Sequence, residues 1–510
     1  MKKFLMLLAV SLAAALLVTG CSAGGTGAAA GSVSSGAKKK GGTVTVGVTN
    51  EPDSLDPYLA KAAGTREILF NIFEGLVKPD SSGNMQPAVA ESWTVSADAS
   101  LYTFKLRPGL KFHNGESVTA QDVVYSLDHA RGKDTGTALV SGLENIRSVT
   151  VASDGQVAVA LKQADPDFLP YLTVAITPRD YSKQSTRPIG TGPFEFGSYS
   201  PQEQLVLKKN PDYWQKDRPY LDKVVFKIEA NADAAFAELQ AGGFDIFPYL
   251  SEDKAGQLKA SYNILRGNMN LVQLLALNNS VKPLDDARVR QALCYATDPK
   301  EIITAVAFGY GTRIGTGMIP GLKSYYDDSL TDTYQKNTAK AKQLLAQAGY
   351  PNGFDLTITV PSNYVFHVNT AQVLVSQLKA VGVKASIKQV DWGTWLSQVY
   401  QSHQYQSTVI GLDGANLSPR SFLQRYVTGD SGNFINFSDK AYDTLYASTT
   451  TETDAAKRAA GFKGLEKILT QDAASVYIQD PAQLTAVRKN IGGYVFYPLY
   501  VQDMSTVYFK

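Results

Sequence analysis

Four histidines, His113, His129, His367 and His403, are scattered along the chain, and none lies near another or near Cys294 at a metal-ligand spacing. No zinc or other metal site is therefore expected, and each histidine reads as a surface or internally satisfied residue. The chain has no G-x-S-x-G elbow, no H-E-x-x-H and no G-x-G-x-x-G after a strand. Cys294 has no base at a recognisable spacing and reads as a packed or exposed thiol rather than a nucleophile. The pairs Asp285-Asp286 and Asp327-Asp328 have the composition of an acid and a base, but they stand beside helix starts, where carboxylates cap. An enzyme reading thus has no residue to stand on, and no cofactor is expected. The aromatic residues say more. Trp392 and Trp395 lie three apart with Leu396 and Val399 on one helical stripe, so one indole is expected in the core. The other is open to a binding role, since a planar ring stacks on a ligand while losing few rotamers. For Trp392 core and pocket are equally weighted.

The N-terminus places these residues outside the cytoplasm. Lys2 and Lys3 precede an uncharged apolar run, Phe4 to Val18, too short for a spanning helix and fitting an export signal. The run leads into Leu17-Val18-Thr19-Gly20-Cys21, which resembles a lipobox, so residues 1–20 are expected to be removed and Cys21 to carry the lipid. Several acyl chains hold firmly, at about 0.8 kcal/mol per buried methylene. The alternative is a plain secretory cleavage site with Cys21 an ordinary small residue. Only Cys294 then remains among cysteines, so stability must come from a large core rather than from a disulfide. Loss of Lys2 and Lys3 leaves the mature chain with balanced charge, which argues against nucleic acid as a partner.

Residues 21–40 are rich in Gly, Ala and Ser and read as a flexible tether. Gly31 to Lys38 lacks the adjacent Gly-Lys-Ser/Thr of a phosphate loop and follows no strand. Order begins where Val44, Val46 and Val48 alternate with small residues, as in a half-buried strand. Tyr102, Phe104 and Leu106 alternate before Pro108-Gly109, Leu110 to Phe112 precede Asn114-Gly115, and Val149 to Leu161 form a strand pair around Asp154-Gly155. Thr119 to Asp122 resembles a capping box opening a helix through Leu127. Beyond Asp285 the pattern changes. Helices through Val289 to Ala296 and Ala341 to Ala348 lead into a strand from Phe354 to Val360. A helix through Leu374, Leu378 and Val381 closes at Gly382, a strand runs Val383 to Val390, Trp392 to Tyr400 is helical, and Ser407 to Leu412 is a strand. That order predicts an α/β domain with a largely parallel sheet, joined to β-rich portions in a chain long enough for several domains. Clefts between such domains are favoured ligand sites.

Many segments resemble the extracytoplasmic solute-binding proteins of family 5, the oligopeptide, dipeptide and nickel type. The resemblance is carried by Glu51 to Pro57, Ile72 to Val77, Pro87 to Trp93, Tyr102 to Gly109, Lys111 to Gly115, Thr119 to Val123, Gly190 to Phe194, Asn210 to Trp214 and Asp286 to Leu293. It implies an α/β, two-lobed periplasmic-binding-protein-like fold of type II, cluster C, with an inserted β-rich third domain. Lobe I would comprise residues 41–76, 188–271 and 482–510, the insert 77–187, and lobe II 272–481. It also implies a monomeric receptor that hands a peptide or peptide-like solute to ABC permease subunits with their ATPase. Such a receptor would work from the membrane by its lipid anchor, at the cell surface or in the periplasm.

By the same resemblance the ligand would lie on Ala63, Gly64, Thr65 and Arg66, on Trp392 of an acidic-Trp pair, and on Leu412, Asp413, Gly414, Ala415 and Asn416 ahead of Pro419. The chain departs from the family at the charged anchors. Ala415 stands where peptide receptors place an Asp for the free amine, and Ser362-Asn363-Tyr364 replaces an Arg-bearing segment for the ligand carboxylate. Asp413 or Asp480 is available as a substitute anion, with a solvated or capping role at least as natural for each. Receptors for metal chelates and oligosaccharides, a ligand-sensing surface receptor, and a surface hydrolase remain as alternatives.

Overall fold

The Val44 and Val46 alternation does form a strand, Thr43–Val48, with both valines fully buried. It lies parallel to Lys223–Ile228, Val44 opposite Val224 and Val46 opposite Phe226. In this computed structural model, residues 38–152, 155–414, 418–497 and 501–510 are described. The leader, Cys21, most of the tether, Ala415 and Asn416 lie outside them.

Three larger sheets, beside two two-stranded ones, organise the described residues. The first has the strand order Tyr262–Asn268, Ala482–Arg488, Ile246–Phe247, Thr43–Val48, Lys223–Ile228, Gln204–Lys209 and Phe194–Ser200. The chain thus enters this sheet at its beginning, middle and end. A second, antiparallel sheet is built from Ala90–Val95, Leu101–Leu106, Val157–Leu161 and Ile146–Val151. Tyr102 and Phe104 turn inward here, onto the buried face of the helix Ala120–Ala130.

The capping box at that helix is present. Thr119 Oγ1 accepts from the Asp122 N–H at 3.3 Å, and the Asp122 carboxylate accepts from the Thr119 N–H at 2.9 Å. Thr119→Ala is expected to cost about 1 kcal/mol, measured by urea unfolding.

The third sheet is ordered Thr312–Arg313, Ser475–Asp480, Leu271–Leu277, Ser407–Asp413, Asp355–Pro361, Lys384–Val390. Asp355–Pro361 runs parallel to both Lys384–Val390 and Ser407–Asp413, as the strand–helix–strand order requires. The rest of the sheet is antiparallel, because Leu271–Leu277 and Ser475–Asp480 enter from outside the α/β run. The sheet is therefore mixed rather than largely parallel.

In each carboxylate pair one member caps. Asp286 accepts from the Arg288 N–H at 2.8 Å, and Asp327 from the Ser329 N–H at 3.1 Å. Cys294 is packed in the core, and burial pushes its thiol up to about 12.

The first and third sheets are joined where two chain crossings run side by side. One passes from Asn268 to Leu271 and the other from Asp480 to Ala482. The Met269 N–H donates to the Pro481 carbonyl at 2.9 Å and ties them together. The helices Pro419–Leu423 and Ala455–Gln471 meet the loop after the antiparallel sheet through two ion pairs, Arg420–Asp165 at 3.3 Å and Arg458–Asp167 at 3.4 Å. All described residues fall in one compact unit. Among them, no helix is long and apolar enough to cross a membrane.

Candidate functional site

The crossings floor a cavity of about 780 Å³, within the size range of small-molecule sites. Its aromatic wall comes from the third sheet. Asp391 opens the helical segment by accepting from the Thr394 N–H at 2.9 Å, and the chain then winds as a π-helix over Trp395–Gln401. The two indoles stack with centroids 5.0 Å apart and planes 6° from parallel. Trp395 is the core member, 2% exposed, with its N–H donating to Thr408 Oγ1 at 3.0 Å. Trp392 is 38% exposed and lines the cavity. The sequence left those roles open, and the structure divides them.

Tyr364 continues the wall, meeting Trp392 edge-on at 5.4 Å. It sits at the N-cap of the helix Val365–Lys379, whose first turn brings His367 to the back of the cavity. Burial pulls the His367 imidazole down to about 4, so it is neutral at physiological pH. Its Nδ1 lies 3.0 Å from Gln273 Nε2, and Gln479 donates to Gln273 Oε1 at 2.7 Å, a polar layer under the apolar wall.

The strand end Ser407–Asp413 supplies Leu412 and Asp413 to the same cavity. The Asp413 carboxylate is 3.7 Å from Arg425, whose guanidinium also donates to the Asp413 carbonyl at 2.7 Å. Gly414 is packed so tightly that an added Cβ would stand 2.3 Å from the Phe422 ring.

Asp480 lies apart from this cavity. It is completely buried at the crossing behind Pro481, accepts from the Leu271 N–H at 3.1 Å, and is absent from the cavity lining. Burial pushes its carboxyl up to about 7.

Ala63, Gly64, Thr65 and Arg66 form the first turn of the helix Ala63–Leu69 and also lie outside the 780 Å³ cavity. Asp53 fixes the turn by accepting from the Lys61 and Ala62 N–H groups at 2.8 and 3.0 Å. Arg66 lines a separate cavity of about 430 Å³ and donates to the Lys61 carbonyl. The helix still touches the larger site from behind. Glu67 accepts from the Tyr249 hydroxyl and from Gln502 Nε2, and the Tyr249 ring lines the cavity.

Sequence reasoning did not single out Tyr249, Glu252, Met269, Phe366 or the Pro481–Leu484 stretch as lining. Tyr364 enters the sequence reading only as part of a departure from an Arg-bearing pattern. The others lack a spacing signal because separate chain passages bring them together. Among the described residues, no group of three or more His, Cys, Asp and Glu is arranged to hold a metal.

Residues 84–434, more than half the chain, match the family described as Bacterial extracellular solute-binding proteins, family 5 Middle. The chain belongs to this family. It is a solute-binding protein and not an enzyme. The dipeptide-binding protein of Escherichia coli K12 is 29% identical to it over 453 residues, covering 81% of this chain and 84% of that protein. Among solved structures, HbpA2 from Haemophilus parasuis superposes with a TM-score of 0.83 at 26% identity, covering 92% of this chain and 100% of that one. The periplasmic binding protein DppA from Helicobacter pylori, in complex with peptide STSA, gives 0.73 at 25% identity, covering 92% and 98%. These likenesses agree with a two-lobed type II binding-protein fold.

Proposed function

We propose that this solute-binding protein captures a peptide or peptide-like solute between its lobes and delivers it to the permease of an ABC importer. In this reading it is held at the extracytoplasmic face by a lipid on Cys21. The lobes are residues 41–76, 188–271 and 482–510 against 272–481, with 77–187 inserted, and sheet membership supports those limits. The observation that carries the reading is the aromatic-walled cavity at the two crossings, with Trp392 and Tyr364 left 38% and 41% exposed. Exposed rings of this size at a cleft are surface awaiting a ligand. Closure by rotation at Met269 and Pro481 would then bury those rings against the cargo. A permease that prefers the closed form converts that binding into a signal.

Calorimetry with a pool of apolar tripeptides is expected to show saturable heat at one peptide per chain, with a negative heat-capacity change. Absence of heat and of any thermal shift would remove the peptide from this reading. A second reading, an apolar solute that is not a peptide, is favoured by one feature. Among the described lining residues Arg425 is engaged by Asp413, so no uncommitted cation faces a C-terminal carboxylate.

A further inference from the structure

The loop after the strand Ile246–Phe247 carries a charge that the site leaves unmatched. Tyr249 turns this loop with φ 55°, the Leu250 N–H donates to the Leu484 carbonyl at 2.9 Å, and the Leu250 side chain is buried. The backbone of Glu252 is therefore fixed at the cavity, and its side chain lines it, half-buried. Among the described residues no cation lies within ion-pair distance of this carboxylate. The nearby Lys254 is engaged by Asp233 at 3.1 Å. The other charged lining groups, Asp413 and Arg425, face each other, and His367 is neutral. Glu252 thus leaves the cavity one negative charge in excess. Burial holds its carboxyl above the ordinary value, the sign of a charge that lacks compensation. The surrounding rings add to the same preference, because the faces of Trp392 and Tyr364 attract cations.

We propose that Glu252 is the charge anchor of the cargo, and that the cavity takes a solute with one ammonium or guanidinium group on an apolar or aromatic body. This rests on the receptor reading above and narrows it. The anchor comes from the first sheet while the aromatic wall comes from the third, so the cation ties the lobes through the ligand.

The test is calorimetry of the purified mature protein with two matched pairs, trileucine amide against N-acetyl-trileucine amide, and phenethylamine against phenethyl alcohol. The charged member of each pair is expected to bind about tenfold more tightly. Glu252→Gln should erase that preference by weakening the charged member alone, and Glu252→Asp, which keeps the charge, should retain it, with thermal melts showing both variants folded. If both peptides are silent while phenethylamine keeps a Glu252-dependent advantage, the peptide reading fails and the anchor stands. Equal binding within both pairs, a preference that survives Glu252→Gln, or silence of both cationic probes overturns the anchor.

Discussion

Trp392→Ala is expected to weaken binding of an apolar peptide by roughly 30- to 100-fold, about 2–3 kcal/mol, while leaving the fold intact. The size follows from what the indole does. It stacks on Trp395 at 5.0 Å, meets Tyr364 at 5.4 Å, and turns its remaining 38% exposed surface toward the cavity. A ring held on two sides binds with little rotamer entropy left to lose, and aromatic pairs add about 0.5–1.5 kcal/mol beyond area burial. Because Trp395 and not Trp392 fills the core, truncation of Trp392 should cost little stability. Trp395→Ala, by contrast, would open the core and leave Thr408 Oγ1 without its indole donor. Calorimetric titration beside a urea melt separates the two effects. A large stability loss in Trp392→Ala with unchanged affinity would reverse the roles assigned to the indoles.

Asp480→Asn is expected to stabilise the protein at pH 8 by about 2–4 kcal/mol and at pH 5 by a smaller amount, about 1–2 kcal/mol. Asp480 is completely buried, its Oδ1 accepts from the Leu271 N–H, and its Oδ2 has no hydrogen-bond partner. Desolvation is the largest cause of its shift, from 3.8 to about 7. The folded state therefore holds the proton more tightly than the unfolded chain. That contribution is complete below about pH 4, and it is lost as the pH rises through the folded value near 7. The asparagine keeps a carbonyl oxygen for Leu271 and carries no charge to bury. Urea unfolding of both proteins at pH 5 and pH 8 checks this, with the gap expected to be present at pH 5 and to widen at pH 8. Glu67 and Glu466, raised by burial to about 7 and about 9, slope in the same direction in both proteins and cancel in the comparison. The position gives the effect functional weight, since Asp480 sits where the chain crosses from the third sheet to the first.

Much of the local structure was legible in the sequence, and the reasons are physical. Thr119 and Asp122 declare a helix start because each satisfies the other's backbone donor, independently of anything distant. The alternation at Tyr102 and Phe104 declares a strand because one face is buried, and Gly382, at φ 88°, marks a helix end. The mixed third sheet was not legible, since a strand's neighbours are set by passages far away in the chain. The same limit applies to the site. Trp392 and Trp395 share one helical stripe, and only the π-turn decides which indole faces out. Asp480, in a strand end leading to a proline, reads as a substitute anion or as a solvated or capping residue, yet both crossings close over it. Glu252, between Ser251 and Asp253, has the local composition of a solvated loop, and nothing nearby in sequence announces the rings across the cavity. The family resemblance found the fold, and the Trp392 it pointed to lies on the cavity wall. Of the stretch Ala63–Arg66, carried over from the same resemblance, Arg66 lines a different cavity here.

The central claim is that a solute is held in the cavity at the two crossings, against Trp392. Native mass spectrometry of the purified mature protein with a mixed pool of short apolar peptides tests it most directly. The account predicts one retained peptide per wild-type chain and little or none in Trp392→Ala. Equal retention by both proteins, or no retention by the wild type, would contradict it.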